Sequence, residues 1–156
     1  MNASAQRGVA AMELALMTPI FLVLVMATAE FGHALYQYNT LNKTVRDAAQ
    51  YLARYGMSAG VVAPTAVEVT AARCLVVYGL PACPEQPDES LKLLPGMDPD
   101  ADVTLAYEPA ATPLYVKVTA TYTYVPLLGV VVPSFGTDVV LSVPATFTAE
   151  IRMRGL

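Results

Sequence analysis

Hydrophobic and polar positions fall into three regimes along the chain. The first is unbroken: sixteen consecutive uncharged residues, Leu14 to Ala29, lie between Glu13 and Glu30. Extended back to Val9, the run has 21 residues with Glu13 as its one charge. A hydrocarbon core needs ~20 apolar helical residues to cross its ~30 Å, so this run is long enough to span a bilayer. Arg7 and the amino terminus precede it, and no acid comes before Glu13. The positive-inside rule therefore predicts a cytoplasmic N-terminus and export of the rest of the chain.

The second regime has the period of a helix. From Tyr38 the apolar positions Leu41, Val45, Ala48, Leu52 and Tyr55 recur at intervals of three and four, which is one apolar stripe. Lys43, Arg46, Asp47, Gln50 and Arg54 fall off that stripe, and Gly56 stands where a helix C-cap belongs. The pattern predicts one helix from Val9 to Tyr55, 47 residues, or ~70 Å at ~1.5 Å per residue. Its first half would lie in lipid and its second half on the exported domain. Met57 to Pro64 reads as loop. Thr65 to Tyr78 reads as a shorter helix, N-capped by Thr65 and ended by Gly79. Leu80 to Pro99 is Pro-rich and acidic, hence loop.

In the third regime the period falls to two. Val103, Leu105 and Tyr107 alternate with Asp102, Thr104, Ala106 and Glu108; Leu114, Val116, Val118, Ala120, Tyr122 and Tyr124 alternate with a face rich in Thr; Val139, Leu141, Val143, Ala145, Phe147, Ala149 and Ile151 alternate with a face that runs from Val140 through Ser142 and Pro144 to Arg152. These predict three half-buried strands. Pro144, on the polar face of the third, points to an edge or a bulge. The helical stripe is the natural cover for such a sheet, which makes the fold class α+β.

Composition agrees with a membrane segment added to one small domain. Hydrophobic residues make up 55% and charged ones 14%, against a usual ~45–50% and ~25%. Nine basic and thirteen acidic residues give 9 − 13 = −4, which leaves no basic surface for a nucleic-acid backbone. The apolar content excludes intrinsic disorder. A competing reading is a cleaved signal peptide, since Ala27-Thr28-Ala29 matches an A-x-A site before Glu30. Glu13 and Pro19 interrupt the apolar segment, however, and the helical pattern runs through the proposed cut.

Little of the remaining chemistry is catalytic. Cys74 and Cys83 are the only cysteines, and an exported, oxidising location predicts a disulfide between them. Asp98-Pro99-Asp100-Ala101-Asp102 has the D-x-D-x-D rhythm of a Ca²⁺ loop without its Gly and closing Glu, so a solvated acidic loop is the preferred account. His33, the single histidine, falls one turn after Glu30 and is expected to pair with it at the outer membrane face. No nucleophile elbow, P-loop or dinucleotide fingerprint occurs, and no enzyme, metal or cofactor is expected. Val125 to Val132 is apolar and fits a core, a hairpin lining or a contact for another subunit.

The segment Arg7-Gly8-Val9-Ala10-Ala11-Met12-Glu13-Leu14-Ala15-Leu16-Met17-Thr18-Pro19 resembles the opening of TadE-like minor pseudopilins of the tight-adherence (Tad/Flp) pilus system. The likeness continues through Glu30-Phe31-Gly32 and Tyr36 and ends in Val45-Arg46-Asp47-Ala48-Ala49-Gln50-Tyr51-Leu52-Ala53-Arg54. Met12-Glu13-Leu14 stands where Val-Glu-Phe is more usual, and the pattern does not separate TadE from TadF. The resemblance implies a pilin-like fold: a long N-terminal transmembrane helix packed on a small antiparallel sheet, with a second short helix.

It also implies removal of a leader, residues 1–8, by a prepilin peptidase that cuts between Gly8 and Val9. The rest would then divide into a transmembrane helix (9–34), a periplasmic helical region (35–79), and an acidic loop with the sheet (80–156). Glu13 becomes the residue the peptidase recognises and the one that pairs with a neighbour. A carboxylate in an apolar helix costs ~2.5–3.5 kcal/mol at mid-membrane by the value for Asp, and the ammonium of Val9 on an adjacent subunit would offset it. The simpler account sets Glu13 in the headgroup zone, favoured by the helix dipole. The implied partners are other pilins, the Tad assembly platform and the peptidase, at the bacterial inner membrane. The implied role is to initiate or cap a fibre used for adherence. The competing classes are a membrane-anchored periplasmic binding or sensor domain and a soluble domain released before Glu30.

Overall fold

The structure is a computed structural model that describes residues 3–56, 64–86, 88–108, 115–127, 131–133, 138–140 and 146–154. Helix α1 runs from Ala3 to Tyr51 and ends in a π-helical turn, Leu52–Gly56. It starts upstream of the expected Val9 because Ala3 to Arg7 contains nothing that breaks a helix. Pro19 lies inside it and has no N–H to give the Ala15 carbonyl one turn back. Gly56, expected as a C-cap, is instead the last residue of the π turn.

Helix α2, Ala66–Tyr78, keeps both expected ends. Thr65 forms a capping box: its hydroxyl accepts from the Glu68 N–H at 3.4 Å, and the Glu68 carboxylate accepts from the Thr65 N–H at 2.6 Å. Gly79 ends the helix at φ 71°, with its N–H on the Leu75 carbonyl, a backbone conformation that Gly adopts most cheaply.

Strands β1 (Val103–Glu108), β2 (Tyr115–Thr123) and β5 (Thr146–Arg154) form an antiparallel sheet in the order β1-β2-β5. The short strands β3 (Val131–Pro133) and β4 (Asp138–Val140) pair separately as a hairpin. The third predicted strand is therefore corrected. Its first residues, Val139 and Val140, belong to the hairpin, and the sheet strand begins only at Thr146. Residues 141–145, Pro144 among them, lie outside the described residues. Alternation persists through both pieces because it records a pleat and not the identity of the partner.

The chain divides into two compact units, Met1–Leu35 with Pro126–Ser142, and Tyr36–Val125 with Val143–Leu156. The second holds the core. Leu41, Val45, Ala48, Ala49, Leu52 and Ala53 of α1 and its π turn meet Ala72, Cys74, Val76 and Val77 of α2. The sheet adds Val103, Val116, Val118, Ala120, Tyr122 and Ala149 to the same cluster. The expected stripe is thus buried at Leu41, Val45, Ala48 and Leu52, but Tyr38 and Tyr55 are exposed. Gln37 and Thr44 are buried polar residues on this helix. The acidic loop also departs from expectation, because Leu94 and Met97 are each 1% exposed and belong to the core. On the opposite face of the sheet, Lys117 pairs with Glu150 and Arg152 with Glu108, both at 3.0 Å. Exposed pairs of this kind contribute only ~0–1 kcal/mol, so the buried face sets the register.

Candidate functional site

The first unit presents apolar surface without cover. Met12, Leu14 and Leu16 are at least 70% exposed, and an 18-residue window of α1 with mean hydropathy 2.0 is 0% buried. A free-standing soluble domain rarely shows so large a contiguous apolar patch. Eight residues from Leu14 to Ala29 are Leu, Ile, Val or Phe. At ~0.3–0.6 kcal/mol each, they favour insertion by roughly 2–5 kcal/mol.

The two threonines of the stretch hide their hydroxyls in the helix. Thr18 Oγ1 donates to the Leu14 carbonyl at 2.6 Å and Thr28 Oγ1 to the Leu24 carbonyl at 2.8 Å, which satisfies both donors within the helix itself. The helix is long and apolar enough to cross a membrane.

Gly8, Val9 and Glu13 lie exposed on α1, with Glu13 about one turn beyond Val9. A Cβ at Gly8 would meet nothing within 4 Å among the described residues, so their packing does not demand a glycine there. Glu30 and His33 are half-buried, one turn apart, at the end of the uncharged run. The Glu30 carboxylate accepts the Leu127 N–H at 3.2 Å, a partner far away in sequence that periodicity could not supply. In the second unit, Gln37 Nε2 donates to the Val125 carbonyl at 3.2 Å while its Oε1 accepts the Val125 N–H at 3.4 Å. The side-chain amide there does what a neighbouring strand would do.

Cys74 and Cys83 are joined by a disulfide with a Cα–Cα separation of 5.2 Å. It ties fully buried Cys74 on α2 to exposed Cys83 at the start of the acidic segment. The carboxylates of that segment are turned onto local donors. Asp98 accepts from the N–H groups of Asp100 and Ala101, Asp102 accepts from the Asp98 N–H, and Asp100 pairs with Arg73 at 2.5 Å. The amides of Ala101 and Asp100 hold the Asp98 carboxyl below its ordinary value. Lys92, helped by the Gly96 amide, holds Glu89 below its own. The Ca²⁺-like rhythm thus builds an internally hydrogen-bonded loop.

Residues 8–50 match the family model described as TadE-like protein. No curated protein and no solved structure matches the chain. The matched span takes in Gly8, Glu13, the uncovered apolar run and the stripe that enters the core through Ala49. Over those residues the chain is similar to TadE-like proteins of the tight-adherence pilus system, and the apolar helix they include is long enough to cross a membrane.

Proposed function

We propose that this protein is a minor pseudopilin: leader removed after Gly8, α1 in the inner membrane with its N-terminus cytoplasmic, and the α+β head in the periplasm. It meets other pilins and the assembly platform through α1 and helps initiate or cap the fibre that attaches the cell to a surface. The observation that carries this reading is the coincidence of the TadE-like match with a helix whose apolar face has no cover. Gly8 adds support. A helix interior pays ~1 kcal/mol for Gly over Ala, and nothing near Gly8 among the described residues needs the space, which fits a requirement imposed by a protease. The charge of Glu13, costly in lipid, has a reason to be there if it meets the new ammonium of Val9 on a neighbour.

A membrane-anchored binding domain is the second reading. It draws on a cleft of about 520 Å³ lined by Tyr36, Asn39, Lys43, Asp47, Leu75 and Leu93 among others. Thr44, the buried polar residue in that wall, already donates to the Leu41 carbonyl at 3.0 Å. The mature N-terminal residue separates the readings. Intact-mass and N-terminal sequencing of protein from cells carrying the pilus machinery should give Val9. Met1 would favour the anchored binding domain, and Glu30 a released soluble one; either would overturn the pseudopilin assignment.

A further inference from the structure

The apolar stretch after β2 belongs to the same compact unit as the membrane-compatible helix, Met1–Leu35 with Pro126–Ser142. Of the nineteen residues from Val125 to Val143, eleven are Val, Leu or Phe, and Asp138 is the one charge. At its start, Val125 and Leu127 are exposed, at 42% and 59%. The Leu127 N–H is held by the Glu30 carboxylate, which is the first charge after the uncharged run. That bond fixes a level: the stretch begins beside the helix where the bilayer's hydrocarbon would end. Further along, the chain pairs with itself as a hairpin, Val131↔Val140 to Pro133↔Asp138.

We propose that the β3–β4 hairpin is a second membrane-contacting element, seated in the headgroup region of the outer leaflet beside α1. This rests on the reading of α1 as the span. A two-stranded hairpin leaves an edge of unpaired N–H and C=O groups on each strand, and hydrocarbon offers those groups no partner. It therefore cannot cross the bilayer. The interfacial zone supplies water and headgroup donors for the edges and still removes Val and Leu side chains from bulk water. Glu30, the first charge after the uncharged run, fits that depth, since a carboxylate is tolerated in the headgroup zone and not in hydrocarbon. Continuity with the span favours lipid over a protein partner as the occupant, because the stretch that leads into the hairpin starts, at Leu127, at the level where lipid would cover the helix.

The test uses the full chain in vesicles of phosphatidylethanolamine and phosphatidylglycerol. Single cysteines carrying an environment-sensitive fluorophore are placed at Leu127, Val132, Leu22 and Ser90, with the Cys74–Cys83 disulfide left intact. Lipids bearing nitroxides at shallow or deep positions report depth. Labels at Leu127 and Val132 should emit to the blue of the Ser90 label and be quenched most by the shallow nitroxide, while the Leu22 label is quenched most by the deep one. If Leu22 is quenched and neither hairpin label is, the hairpin proposal fails while the span stands. If the hairpin labels shift to the blue without lipid quenching, a protein surface covers them and the proposal is overturned. An unquenched Leu22 label overturns the span reading and this proposal with it. Labelling Leu127 and Val132 in separate proteins keeps the test decisive if one substitution disturbs the hairpin.

Discussion

Cys83→Ser and Cys74→Ser break the same bond and should not cost the same. The disulfide joins residues nine apart in sequence, and a closed loop of about ten residues stabilises by about 2.7 kcal/mol on the chain-entropy model. Cys83 is exposed, so a hydroxyl there meets water and the loss stays near that figure. Cys74 is fully buried in the core, where a hydroxyl without a partner adds ~1–3 kcal/mol. For a head of about 100 residues, ~4 °C or more of melting temperature goes with each kcal/mol. Cys83→Ser should therefore lower Tm by at least ~10 °C and Cys74→Ser by several degrees more.

The assay is near-ultraviolet circular dichroism of the full chain in detergent. It follows tyrosines, because the protein has no tryptophan and Tyr122 lies in the core. Reduced wild type should melt near Cys83→Ser. A Cys83→Ser protein that melts with the oxidised wild type, or below Cys74→Ser, would refute this ordering.

Glu13→Gln should insert at least as well as wild type and leave the melting of the head unchanged, yet reduce piliation and co-purification of other pilins. Full piliation by an abundant, processed variant would rule out the pairing of Glu13 with Val9. Thr65→Ala removes one half of the capping box and should destabilise the head by ~1 kcal/mol, read as a lower Tm; an unchanged Tm would mean the cap contributes nothing. Asp98 has a folded pKa below its ordinary 3.8, so its stabilising contribution is present above that value and lost as pH falls through the lower, folded one. Asp98→Asn should therefore flatten the acid limb of the stability profile below pH ~4, and an unaltered acid limb would count against the loop bonds.

Much of the head was legible because burial there follows simple periods. Leu41, Val45, Ala48 and Leu52 repeat at helical spacing, and Val116, Val118, Ala120 and Tyr122 alternate, so each element names its own buried face. The ends of α2 were legible because Thr65 and Gly79 have local jobs that need no tertiary partner. Features that escaped depend on distant partners. Gln37 is buried because its amide matches the backbone of Val125, 88 residues away, and no local pattern marks that. Val139 continues the alternation of β5 but pairs with Val132, because pleating and pairing are separate choices. Leu94 and Met97 sit amid acids and prolines, yet the disulfide and the Arg73–Asp100 pair draw their segment over the core. At the candidate site, Gly8 and Glu13 were singled out by the resemblance of their segment to a family pattern and by the cost of a charge in an apolar helix, not by any period that shapes the fold.

The last residue of β2, Thr123, lies directly opposite the first residue of β5, Thr146. The sheet is thus already zipped up to the point where the chain departs, and a tight turn would suffice to join the two strands. Everything between them is an excursion that the sheet does not require. A lengthened or shortened excursion therefore leaves the register of β2 and β5 untouched, because that register is set by the buried face of the sheet and not by the segment that joins the strands.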